Sequence, residues 1–190
     1  MLDIQPNVGV AGLNFGASLD EVQQRWGKPI STAQNRSGET VFAYPDIQLT
    51  FDDAGLAEVG VAPQADPVVD GARPLSSKAD FERLVRDDGQ AQQVFGFIVL
   101  ETLGLTITGV HDGDTEQLAL TAFRTGRWAR LRDQMTPFQI SQSRLPLPTH
   151  SGRSQGLLFG TEGECRLTEP IERRRFRLLD ECKTHPAQTG

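Results

Sequence analysis

The chain has 190 residues, a net charge of −6 and an isoelectric point near 5.1. That balance argues against a nucleic-acid partner, because binding phosphates requires a basic face. A hydrophobic content of 37% and a mean hydropathy of −0.36 suit one folded core with a polar tail. The most apolar run, Val94 to Leu100, is strand-sized and falls far short of the ~18 residues of a membrane span.

Met1 to Pro6 carries no basic region, apolar core or small-residue cleavage site, which predicts a cytoplasmic protein. Cys165 and Cys182 are expected to be free thiols there, and two cysteines alone cannot complete a four-ligand zinc site.

The chain order suggests a duplication, with residues 8–62 and 75–135 as two repeats. In the first, Ser18 is a good helix N-cap and Glu21 stands at the capping-box position. Leu19, Val22 and Trp26 then fall on one helical face, and Gly27 and Pro29 stop the helix. Glu39 to Tyr44 is rich in strand formers. Ile47, Leu49 and Phe51 alternate with Asp46, Gln48 and Thr50, the period of a strand with one wet face. After the turn at Asp53-Ala54-Gly55, Val59 and Val61 continue the inner face and leave Glu58 outward.

The second unit repeats this order. Ser77 caps a helix with Asp80 at the box position, and Phe81, Leu84 and Val85 form its stripe. Strands are predicted over Phe95–Leu100, from Leu103 to Ile107 and from Leu118 to Phe123. Residues 63–74, dense in proline and aspartate, read as a linker, and residues 136–190 as an irregular Pro/Ser/Gly-rich and Arg-rich extension. The expected fold is α+β: two tandem helix-plus-antiparallel-sheet repeats with the helices on one face. Leu49 and Leu105 belong to the core.

Catalytic signatures are sparse. The chain carries no glycine-rich phosphate loop, G-x-S-x-G elbow or H-E-x-x-H helix. His111 between acids is a conceivable general base, though a turn explains it as well. Asp52-Asp53 with Glu58 lacks the donor spacing of a calcium loop, so neither metal nor cofactor is expected. Arg173-Arg174-Arg175 reads as a solvated face or as a grip for an acidic partner.

A partner-binding surface is instead expected on the outward sheet positions: Asp46, Gln48, Thr50 and Glu58 in the first unit, Thr102, Thr106, Thr108 and Thr121 in the second. Two aromatics join them. Tyr44, the chain's one tyrosine, opens towards Pro45-Asp46, and Trp128 either closes the core or anchors a partner.

Gly16-Ala17-Ser18-Leu19-Asp20-Glu21-Val22, Trp26-Gly27-Lys28-Pro29, Tyr44, Ile47 to Asp52 and Gly55-Leu56 together resemble the repeat of the beta-lactamase inhibitor protein and of small outer-membrane assembly lipoproteins. The resemblance implies helix-then-sheet units in tandem and a binding role. In size, charge and absence of catalytic motifs the chain also looks like bacterial immunity proteins, which neutralise a toxin by occluding its active site. The reading is therefore a non-catalytic cytoplasmic inhibitor whose partner is a toxin enzyme. A small enzyme using His111, or a scaffold or chaperone subunit of a larger assembly, are the alternatives.

Overall fold

The computed structural model describes residues 1–110 and 117–142. Its first half begins with α1 (Leu19–Trp26), where the Ser18 hydroxyl accepts from the Glu21 amide at 3.2 Å and the Glu21 carboxylate accepts from the Ser18 amide at 2.7 Å. This is a complete capping box, satisfying two otherwise orphaned donors. Four strands follow, β4 (Ser31–Gln34), β5 (Thr40–Tyr44), β6 (Ile47–Asp52) and β7 (Gly55–Val61). They are numbered after three short N-terminal strands, β1 (Leu2–Gln5), β2 (Gly9–Val10) and β3 (Leu13–Asn14).

The second half begins with α2 (Lys78–Asp88), preceded by β8 (Pro67–Val69). Ser77 caps α2 through the Asp80 amide, but the Asp80 carboxylate accepts from the Arg73 amide at 2.9 Å, so this box stays open. Aspartate is one methylene shorter than the glutamate of the first half. Then come β9 (Gln92–Val94), β10 (Phe97–Leu100), β11 (Leu105–Thr108), β12 (Ala119–Phe123) and the two-residue β13 (Thr136–Pro137).

Nine strands make one sheet in the order β13-β9-β10-β11-β12-β7-β6-β5-β4, antiparallel throughout. The two meanders join where β12 pairs with β7, with Leu120 opposite Val61 and Ala122 opposite Val59. A second sheet, β3-β2-β1-β8, contains the one parallel pairing among the described strands, β1 with β8. The fold is thus α+β and dominated by sheet.

One apolar cluster lies on one face of the large sheet. It takes Leu49, Val59, Leu105, Ile107 and Leu120 from the strands, Val22 from α1, Phe81, Leu84 and Val85 from α2, and Ile4, Val10, Leu13 and Val69 from the small sheet. Leu49 and Leu105 are fully buried, as alternation requires. The close approach of the α1 lead-in to β7 depends on Gly55: a Cβ there would lie 2.3 Å from the Gly16 carbonyl oxygen.

Three expectations change. Residues 63–74 are no passive linker, because Pro67–Val69 is the strand that binds the N-terminal β1 in register. Leu19 is exposed, so the α1 stripe reduces to Val22, with Trp26 half-buried. The boundary at residue 135 cuts through the core: Phe138 is buried and its ring stands edge-on to Phe81 at 6.3 Å. Residues 111–116 and 143–190, including His111, both cysteines and the arginine run, lie outside the described residues.

Candidate protein-binding surface

Strand alternation puts Gln48, Thr50, Glu58, Thr106, Thr108 and Thr121 on the sheet face opposite the helices. The register confirms the grouping: Thr50 stands opposite Glu58, Thr106 opposite Thr121, and Gln48 and Thr121 both flank Gly60. The expectation of an open face fails at its centre. Thr50, Glu58, Thr106 and Thr121 are only 5%, 4%, 1% and 3% exposed. Gln48 and Thr108 are half-buried.

The covering element is the segment after β12. Trp128 is 1% exposed, with its ring 5.3 Å from Phe97 and 6.1 Å from Phe123. With Leu131, Val94 and Val99 these residues form a second apolar cluster, separate from the main core. Trp128 therefore closes a core and is not a surface anchor. The Thr106 hydroxyl is buried with no hydrogen-bond partner among the described residues.

Beside Trp128, Arg127 ties the same segment to the first half. Its guanidinium donates to both Glu39 carboxylate oxygens at 2.6 and 2.7 Å, lies 3.3 Å from Glu58 and 3.7 Å from Asp52. Arg124 donates to Asp52 at 2.7 Å. Burial alone pulls the Arg127 guanidinium towards its neutral form, but the Glu39 hydrogen bonds and the Glu58 and Glu39 charges outweigh it and hold its pKa above the usual arginine value. Glu58 is thus consumed within the fold and is not an outward acid for a partner.

The remaining expected positions scatter. Tyr44 lies on the helical face, buried, its hydroxyl donating to the Gly27 carbonyl at 2.8 Å and its ring edge-on to Trp26 at 5.6 Å. Burial raises its phenol pKa. Tyr44 therefore locks the end of α1 to β5 and offers no surface aromatic. Asp46, half-buried, occupies the left-handed position of the β5–β6 turn at φ 58°. Thr102 is exposed in the β10–β11 turn, and its carbonyl accepts from the Asn7 side chain at 2.8 Å.

What stays accessible on this face is its β4–β6 end. Ala33 is exposed, and Val41, Ala43 and Gln48 are half-exposed. The ion network was invisible in the sequence, since Glu39 and Arg127 are 88 residues apart and neither belongs to a motif.

Two open grooves flank the other face. One of about 500 Å³ runs between β3 and α1, past Glu21, Gln24 and Arg25. Another, about 680 Å³, lies between the end of α2 and Pro137-Phe138. Among the described residues no group of three or more His, Cys, Asp or Glu side chains is placed to hold a metal, and no helix is long and apolar enough to cross a membrane.

The fold and surface define an antiparallel-sheet α+β protein. Compared with models of known families, with curated proteins and with solved structures, the chain matches none.

Proposed function

We propose that this chain is a non-catalytic protein-binding protein of the inhibitory, immunity type, which neutralises a cognate toxin enzyme by occluding its active site. In this reading the two helix-plus-meander halves are copies of one unit joined at β7 and β12, and the cell keeps the protein in the cytoplasm. The observation that supports it most is the asymmetry of the sheet face opposite the helices. Its β9–β12 end is sealed by Trp128 and Leu131, whereas its β4–β6 end presents a small, weakly polar patch of Ala33, Val41, Ala43 and Gln48. Such a patch suits a protein surface better than a small ligand, because it holds few directed polar groups.

The test is to look beside this chain's gene for a reading frame encoding an enzyme and to assay that enzyme with the full chain. The full chain should bind that enzyme and suppress its turnover, and Ala43→Arg with Gln48→Arg should weaken inhibition at least tenfold, each arginine placing bulk and charge in the contact. Undiminished inhibition by the double variant, with its fold intact, would move the interface off this face.

A further inference from the structure

We draw no further inference here: the strongest candidate, the β9–β10 hairpin tip where Phe95 sits at φ 49° with 52% of its surface exposed, carries nothing because nothing in the structure shows what covers it.

Discussion

The halves led by α1 and α2 share one order of elements and carry very different loads. From α2, Phe81, Leu84 and Val85 are buried, whereas α1 buries Val22 fully and leaves Leu19 at the surface. The strands differ in the same sense. β10 and β12 are buried along their whole length, while β4 is almost wholly exposed and β5 half-covered. The contrast lies in the helices and the outer strands, since β7 of the first half is buried almost as fully as β12 of the second.

The sharpest way to break this comparison is to truncate one residue on each helix. Phe81→Ala should cost about 4 kcal/mol, since it empties a fully buried site in contact with Phe138. Leu19→Ala should cost under about 0.5 kcal/mol, as for most exposed positions. Urea unfolding of both variants measures the difference, and similar losses would show that the halves contribute equally.

The next effect concerns the tie between the halves. Arg127→Ala should destabilise by about 3 kcal/mol, because it removes the counter-charge 3.3 Å from the Glu58 carboxylate, which is only 4% exposed. Replacing Arg127 by Met together with Glu39 and Glu58 by Gln should recover most of that loss. A cost within experimental error for Arg127→Ala would mean that the network is not a clasp.

The smallest effect is a pH dependence. Asp88 is buried at the C-terminal end of α2, and its carboxylate accepts from the Leu103 amide at 3.1 Å and the Gln90 amide at 3.3 Å. Burial pushes its pKa above the ordinary aspartate value despite those bonds, and a negative charge at a helix C-terminus acts in the same direction. A pKa raised on folding means that Asp88 contributes most to stability below its unfolded value of about 3.9 and loses that contribution as pH rises through its folded value. Asp88→Asn keeps an acceptor for Leu103 without the titration. The variant should therefore gain on the wild type between that acid limit and neutrality, read from unfolding at a series of pH values. A gain that grew towards acid would reverse the assignment.

Local features were legible in the chain. Ser18 with Glu21 and Ser77 before Phe81 announced both helices, because a cap is an interaction among near neighbours. Period-two alternation put Leu49 and Leu105 inside and Thr50, Glu58, Thr106 and Thr121 on the opposite face, because side-chain direction in a strand depends only on parity. What covers that second face does not follow from parity. Tertiary structure decided that Trp128 would seal the β9–β12 end, that Arg127 would reach across to Glu39, and that Tyr44 would turn inward onto Gly27. It also recruited residues read as linker and extension, β8 beside β1 and Phe138 against Phe81. These contacts join segments far apart in the chain, and no local period or spacing records them. The exposed β4 edge belongs to both sources: its uncharged sequence is local, but its place at the end of the sheet was settled when β7 met β12.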